Sequence, residues 1–230
     1  MDLNIDLGEL ADEPTELFSI ALSVNIACGG HAGDAASMRH AIEMAVASGA
    51  NIAAHPSYPD RDGFGRRARF TATDQTAASV AEQCAALFAI GAGCGARIER
   101  LKLHGALYHD ASVDSDLARV VLEAASRGLL HLRFVVGPAH SALEREAARV
   151  GLDFLREGFA DRGYTEDGRL VPRAEPGALL ASPEACALQA AELARSDRFD
   201  TLCVHGDTPG AVENARAVRR ILEELGLVQR

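Results

Sequence analysis

The sequence lacks the features that mark several classes of protein. It contains no uninterrupted run of about 20 apolar residues, the length that a membrane-spanning helix needs. Its formal net charge of −10 argues against a nucleic-acid or anionic-membrane partner, because such partners require an excess of Lys and Arg. The first residues, M-D-L-N-I-D-L-G, carry neither the basic nor the apolar segment of a secretion signal.

Cysteine is scarce and shows no pattern. The cysteines are odd in number and lack C-x-x-C spacing, so neither a disulfide framework nor a zinc cluster is indicated: Cys28, Cys84, Cys94, Cys186 and Cys203. Reduced, buried cysteines are typical of proteins in a reducing compartment. The sequence therefore predicts a soluble, cytoplasmic protein.

Familiar catalytic signatures are also missing. There is no G-x-x-x-x-G-K-[ST] loop for nucleotides, no G-x-S-x-G elbow and no H-E-x-x-H motif. The glycine-rich residues 29–33 follow a predicted strand but lack the first glycine of a dinucleotide-binding loop. Since they open a helix, whose N-terminus attracts anions, Gly29 and Gly30 are candidate anion-binding residues.

What the sequence does contain is a regular alternation of short apolar runs with helix-period segments. The predicted strands are 3–7, 23–27, 51–55, 101–104, 133–136, 153–159 and 201–204. Such alternation predicts parallel β/α units, arranged as an open doubly wound sheet or as a closed barrel. Unusual polar residues follow nearly every strand, and a barrel gathers all such loops on one face. We therefore expect an α/β protein whose residues 1–230 form a single-domain TIM-like β/α barrel, seven-stranded and distorted.

Helix starts carry capping signals. Ser182 precedes Pro183 and Thr208 precedes Pro209, which predicts an N-cap followed by proline at the first helical position in both places. Asp34 also precedes a helix and is expected to cap it. Because Thr208 is the expected cap of the last helix, the carboxylate of Asp207 is left free to point into a site.

Histidines and carboxylates gather at the predicted strand ends. The histidines are His31, His55, His104 and His205, and the carboxylates are Asp6, Glu9, Asp34, Asp161 and Asp207. Imidazole titrates near neutral pH, so the set fits acid–base catalysis. It also fits a metal site with the candidate ligands Asp6, His31, His55, His104 and His205. Cations stand nearby: Lys102 is a candidate catalytic group, and Arg66, Arg162 and Arg173 are candidate clamps for carboxylate or phosphate.

Seven segments, in one order along the chain, resemble the LamB/YcsF family. They are D-L-N-I-D-L-G-E (2–9), V-N-I-A-C-G-G-H-A-G-D (24–34), A-H-P-S-Y-P-D-R-D-G-F-G-R-R (54–67), K-L-H-G-A-L-Y (102–108), F-A-D-R-G-Y (159–164), L-V-P-R (170–173) and C-V-H-G-D (203–207). The resemblance implies a barrel related to sugar deacetylases. It also implies ATP-dependent hydrolysis of 5-oxo-L-proline (pyroglutamate) to L-glutamate, with ATP as co-substrate, a divalent metal such as Mg²⁺ alongside it, and two partner subunits, B and C, of a 5-oxoprolinase.

On this basis the candidate residues fall into two sets. The catalytic candidates are Asp6, Glu9, Lys102, His104, His205 and Asp207. The candidates for binding substrate or anion are Gly29, Gly30, His31, Asp34, His55, Arg66, Asp161, Arg162 and Arg173. We expect His205 or His104, oriented by Asp207 or Asp6, to be the general base. Two alternatives stay open: a stand-alone metal-dependent deacetylase or amidohydrolase, and a non-catalytic carbohydrate- or lactam-binding regulatory subunit.

Overall fold

The computed structural model describes residues 1–67, 73–173, 175–180 and 182–228. The strands in these ranges are β1 Asp2–Leu7, β2 Ser23–Ala27, β3 Asn51–His55, β4 Ile98–Lys102, β5 Phe134–Gly137, β6 Asp153–Phe159 and β7 Thr201–His205. The helices are α1 Glu16–Ile20, α2 Ala35–Ser48, α3 Thr73–Gly93, α4 Gly105–Val113, α5 Ser115–Gly128, α6 Ala142–Arg149, α7 Pro183–Arg195 and α8 Ala211–Glu224.

The strands form a closed barrel in chain order, and neighbouring strands are parallel. β1 closes the ring on β7, where Asp2 lies opposite Thr201 and Asp6 lies opposite His205. The prediction of a closed seven-stranded barrel is confirmed, and the open sheet is excluded. A register shift between Ile52 and Ala53, where β3 pairs with β4, makes the ring locally irregular.

The sequence of β1 explains why the barrel has a polar interior. Side chains alternate between the two faces of a strand, and β1 alternates polar residues with Leu and Ile. Leu3 and Ile5 are fully buried in the apolar core. Asn4 instead donates a 2.8 Å hydrogen bond to Thr201, and the Asn25 amide donates 2.7 Å hydrogen bonds to Asn4 and to Asp6. These hydrogen bonds connect neighbouring strands inside the barrel. They extend to the carboxyl ends of the strands, where charged groups are buried.

The structure corrects the bounds predicted for β4, which is Ile98–Lys102 and not 101–104. The prediction missed the start of β4 because Glu99 and Arg100 are charged, and charged residues are rare in buried strands. The Arg100 guanidinium turns to the carboxylate of Asp2, 2.9 Å away, and to the Ser23 hydroxyl, 2.7 Å away. The residues after Lys102 leave the strand and lead directly into α4.

Two of the three predicted helix caps are confirmed. Asp34 accepts hydrogen bonds from the backbone of Ala36 and Ser37 at the start of α2, and the Ser182 hydroxyl caps α7. The prediction for Thr208 is wrong, since α8 begins after Gly210. This residue adopts a left-handed conformation with φ 78°, and the Thr208–Gly210 segment forms a turn before the helix. Within the described ranges, none of the helices combines the length and the apolar composition that crossing a bilayer requires.

Candidate active site

A pocket of about 320 Å³ opens at the carboxyl ends of the strands. The predicted site residues that line it are Asp6, His55, Arg66, Lys102, His104, Arg162, Arg173 and His205. Three further predicted residues are hydrogen-bonded or ion-paired to this lining: Glu9, Asp161 and Asp207. His31 pairs with Glu9 and stacks on His104. The structure therefore brings most of the predicted residues into one site, although they come from loops spread along the chain.

His205 and Asp161 form a buried pair on one side of the pocket. The Asp161 carboxylate lies 2.9 Å from Nδ1 of His205 and also accepts a 2.8 Å hydrogen bond from the His205 backbone N–H. Burial would lower the pKa of His205, but the charge of Asp161, its hydrogen bond with Nδ1 and the charge of Asp6 together raise that pKa above its ordinary value. Burial would likewise raise the pKa of Asp161, yet His205 holds it below the usual range. Asp161 therefore fixes Nδ1 as the protonated nitrogen and leaves Nε2 as the one that can accept a proton.

Lys102 lies at the centre of the polar interior. Its ammonium is 2.8 Å from Asp6 and 2.9 Å from Glu157, both buried carboxylates. Burial would lower the pKa of Lys102 and raise that of Asp6, but their mutual attraction and the other charged neighbours together exceed the effect of burial. The pKa of Lys102 is raised well above its usual value, and that of Asp6 lies well below it. Both groups are accordingly charged at neutral pH, and the ammonium is fixed at the pocket floor.

Three histidines and one glutamate form a second buried group, called here the histidine cluster: Glu9, His31, His55 and His104. Oε1 of Glu9 lies 2.9 Å from Nε2 of His31 and 3.3 Å from Nδ1 of His104. Nε2 of His55 lies 3.0 Å from Nδ1 of His104, and the rings of His31 and His104 stack at 3.6 Å. Four potential donor atoms therefore converge on one point.

The environment keeps the histidine cluster low in charge. Burial, together with the charge on His55, lowers the pKa of His31 to about 2, and the same two causes hold the pKa of His104 well below its usual value. Burial, assisted by the neighbouring Asp6, raises the pKa of Glu9 to about 7. His31 and His104 are therefore neutral at physiological pH, with a lone pair on one ring nitrogen each.

Gly65 allows a loop to lie directly on this cluster. A Cβ at position 65 would come within 2.9 Å of both His31 and His104, and its φ of +65° favours glycine as well. The tight approach also places Arg66, the next residue, at the pocket.

Two arginines at the pocket entrance share one carboxylate. Arg66 forms an ion pair with Asp207, and Arg173 lies 3.4 Å from the same side chain. Burial would raise the pKa of Asp207, but the charge of Arg66 holds it below the usual range. Two guanidinium groups thus face one carboxylate, and the entrance keeps an excess positive charge. Asp207 positions these arginines, and among the described residues it is Asp161 that contacts His205.

The remaining predicted site residues have contacts that serve the fold. Arg162 lines the pocket, but its guanidinium donates to the backbone carbonyls of Val171 and Ala178 and so holds the loop after β6. Gly29 and Gly30 do not line the pocket as described, and a Cβ at position 30 would meet the side chains of neighbouring residues. Asp34 is exposed and caps α2.

Sequence reasoning missed three residues of the site. Glu157 lies in the middle of β6 and pairs with Lys102, but a single acidic residue in a predicted strand gives no signal of such a role. Phe159 stacks on the ring of His205 with centroids 5.6 Å apart, and Tyr108 lines the pocket. Both residues belong to segments that resemble the LamB/YcsF family, Tyr108 to 102–108 and Phe159 to 159–164, and that was the available signal.

The fold and the site define a class of closed β/α barrels that carry polar groups at the strand ends. The barrel is similar to a family 4 carbohydrate esterase from Streptomyces lividans, with a TM-score of 0.53 at 13% identity over 98% of this chain and 88% of that one. At this identity the likeness concerns the fold alone.

The chain belongs to the LamB/YcsF family, whose model matches residues 1–230. It is 42% identical to the 5-oxoprolinase A subunit of Streptomyces avermitilis, over 99% of this chain and 97% of that protein. It is also 35% identical to a lactam utilization protein from Thermus thermophilus, with a TM-score of 0.89 over 98% of this chain and 97% of that one. The family predicted from the motifs is thereby confirmed.

Proposed function

We propose that this chain is the A-type subunit of a 5-oxoprolinase. With subunits B and C it opens 5-oxo-L-proline to L-glutamate in the cytoplasm, at the expense of ATP. Family membership and the relative named as a 5-oxoprolinase A subunit support this assignment. The observation that carries the catalytic role is the His205–Asp161 pair, which meets a buried ammonium and two arginines at one pocket.

The pocket suits a small anionic lactam. 5-Oxo-L-proline carries one carboxylate, and the excess positive charge of Arg66 and Arg173 over Asp207 attracts a carboxylate or a phosphate. A volume of about 320 Å³ is near the lower end of the range for ligand sites, which fits a single five-membered ring. Phe159 provides an apolar surface beside the base.

The energetic problem of the reaction is the amide. A lactam is stabilised by resonance and is a poor electrophile, so hydrolysis benefits from activation by ATP. Transfer of the γ-phosphoryl group to the lactam oxygen releases ADP and makes the ring carbon electrophilic. One water then adds to that carbon, the C–N bond breaks as nitrogen takes a proton, and a second water cleaves the resulting acyl phosphate to glutamate and phosphate.

In this scheme His205 is the general base for water. Its Nε2 accepts the proton, while Asp161 holds Nδ1–H and stabilises the imidazolium that forms. Lys102, fixed by Asp6 and Glu157, places a positive charge at the pocket floor for the oxygen on which negative charge develops. We assign no ATP-binding residues beyond the arginines, since partner subunits complete the enzyme.

The assay that tests the proposal measures glutamate and ADP formed from 5-oxo-L-proline and ATP, with and without subunits B and C. We expect stoichiometric formation of both products when the three subunits are combined. His205→Asn should remove turnover while the variant still assembles with its partners. Full turnover by B and C without this chain, or an unaffected His205→Asn enzyme, would overturn the assignment.

A second candidate is a stand-alone metal-dependent deacetylase or amidohydrolase, which the histidine cluster favours. Such an enzyme would hydrolyse an acetylated sugar or a cyclic amide as a single chain without ATP, which a separate assay of acetate or ring-opened product measures. A non-catalytic lactam-binding subunit would instead bind 5-oxo-L-proline in calorimetry, while His205→Asn left turnover of the complex unchanged.

A further inference from the structure

The histidine cluster is not used by the hydrolytic steps described above. The scheme needs His205, Asp161, Lys102 and the entrance arginines. The three histidines of the cluster and the side chain of Glu9 are buried beside them, with their donor atoms close together. Burying polar groups costs free energy unless they have partners. Their convergence therefore requires an explanation of its own.

Backbone carbonyls fix which nitrogen carries hydrogen in two of the rings. Nδ1 of His55 lies 2.8 Å from the carbonyl oxygen of Lys102, and Nε2 of His104 lies 2.9 Å from that of Phe64. A carbonyl oxygen only accepts hydrogen bonds, so both of these nitrogens must donate. In the neutral rings, the opposite nitrogens are bare acceptors.

These two bare acceptors face each other at 3.0 Å. Two lone pairs at that distance repel, and a cation between them is the arrangement that turns repulsion into attraction. A shared proton would place an imidazolium in a buried site, and the parallel stacking of His31 on His104 at 3.6 Å brings a third neutral ring against it. Glu9 adds a carboxylate oxygen to the same point.

We propose that the histidine cluster binds one divalent transition-metal ion of the zinc class. Nε2 of His55, Nδ1 of His104 and Oε1 of Glu9 form a donor set typical of such ions, with a fourth position open. His31 is not a ligand, because its ring stacks face to face on His104 and its in-plane lone pair cannot reach the same ion. Metal–ligand bonds of about 2.0–2.1 Å in a tetrahedron place neighbouring donor atoms roughly 3.3 Å apart. The separations among these three donors are 3.0 Å between His55 and His104, 3.3 Å between Glu9 and His104, and 3.9 Å between Glu9 and His55.

The surroundings match a metal site in a second respect. Metal-binding histidines usually donate their other N–H to a carbonyl or carboxylate, which fixes the ring. His55 and His104 both do so. His31 orients a ligand instead, because its Nε2 lies 2.9 Å from Oε1 of Glu9 and its ring stacks on His104.

The neighbouring group of Asp6, Cys203 and His205 is a weaker candidate. These side chains also lie close together, but the Lys102 ammonium already contacts two of them, 2.8 Å from Asp6 and 3.0 Å from Sγ of Cys203. A second cation there would be repelled. The charge of Lys102 thus assigns the metal to the histidine cluster alone.

This proposal goes beyond the proposed function and does not depend on it. An ion at the cluster would lie beside the pocket, to which His55 and His104 contribute, and would supply Lewis acidity there. Metal binding belongs to this chain by itself and is measured without substrate, ATP or partners. A chain that binds metal but shows no turnover would count against the proposed function and leave this inference standing.

The test uses the full chain, stripped with a chelator and titrated separately with Zn²⁺ and Co²⁺. We expect about one equivalent of bound metal by elemental analysis and a visible Co²⁺ spectrum of low-coordinate nitrogen and oxygen ligation. His55→Asn and His104→Asn should each lower the affinity by more than roughly 100-fold, because a ligand is lost rather than an outer partner. Glu9→Gln keeps the side-chain shape and provides a second variant if a histidine replacement fails to fold.

The matched controls are His205→Asn, in the same pocket but outside the cluster, and His109→Asn, at the pocket rim. Both should bind metal as the unmodified chain does, and circular dichroism checks that every variant is folded. Absence of metal binding by the folded, unmodified chain would overturn the proposal and identify the cluster as a proton-sharing network. Equal affinities in the cluster variants and the controls would overturn it too.

Discussion

His205 and the histidine cluster, both at the barrel mouth, differ in the pKa of the nearest carboxylate. This difference decides their chemistry. Beside His205, the pKa of Asp161 is held low and the pKa of the histidine is raised. Beside His31, burial brings the pKa of Glu9 to about 7, and that of His31 falls to about 2. One imidazole is thereby adapted to take up a proton, while His31 keeps a free lone pair. The same residue type serves two roles because its neighbours differ.

The largest effect is expected when Asp161, the carboxylate beside His205, is neutralised. Asp161→Asn removes the charge that orients His205 and stabilises its imidazolium, so turnover of the three combined subunits should fall on the order of 10²- to 10⁴-fold. Asp153→Asn is the matched control, since Asp153 lies at the other end of β6 in an exposed ion pair. A fall of less than tenfold for Asp161→Asn would contradict the claim that Asp161 adapts His205 to accept a proton.

The next largest effect is expected from the loss of the Lys102 ammonium. Lys102→Met leaves Asp6 and Glu157 as buried carboxylates without their counter-charge, which should lower the free energy of unfolding by about 3–5 kcal/mol. Urea denaturation measures it. Arg133→Met, which breaks an exposed ion pair with Asp153, should change stability by about 1 kcal/mol or less. Similar values for both variants would show that the buried charges do not depend on Lys102.

The arginines at the entrance should affect binding more than chemistry. Each charged hydrogen bond to a substrate anion contributes about 1.5–3 kcal/mol, so Arg66→Ala or Arg173→Ala should raise KM roughly 10- to 100-fold. The adjacent Arg67 pairs with Asp60, so Arg67→Lys should leave KM unchanged. Steady-state kinetics with 5-oxo-L-proline as the varied substrate separates KM from kcat. A change in kcat alone would place the arginines in the chemical step.

The smallest effect is a displacement of the pH profile. A general base must be unprotonated, and Asp161 raises the pKa of His205 above its ordinary value of 6.5. Activity should therefore fall with decreasing pH, with an acidic limb of kcat/KM above 6.5. In Asp161→Asn the residual activity should show this limb at lower pH, because the raising charge is gone. A limb that stays in place would assign it to another group.

Periodicity allowed the barrel to be predicted, because alternation of strands and helices is a local property of the chain. It failed where a local pattern was overridden by distant contacts. Arg100 is tolerated in β4 only because Asp2 and Ser23, far away in sequence, receive its charge. Thr208 has the composition of a cap, but the left-handed Gly210 moves the helix start past it.

The site could be predicted as a set of residues but not as a set of pairs. Strand-end positions placed the histidines and carboxylates on one rim. Which carboxylate meets which histidine depends on the order of strands in the closed ring. Asp161 reaches His205 because β6 lies next to β7, whereas Asp207 follows β7 and turns to the arginines. Glu157 was missed for the same reason, since its partner Lys102 lies on β4, separated from β6 by β5.

The division of roles between the two regions is tested most directly by two measurements on one pair of variants, His205→Asn and His55→Asn. Both are purified with partner subunits, and bound metal and turnover are determined on the same samples. The account predicts that His205→Asn keeps about one equivalent of metal and loses turnover, whereas His55→Asn loses the metal. A His55→Asn enzyme with full metal content, or a fully active His205→Asn enzyme, would contradict it.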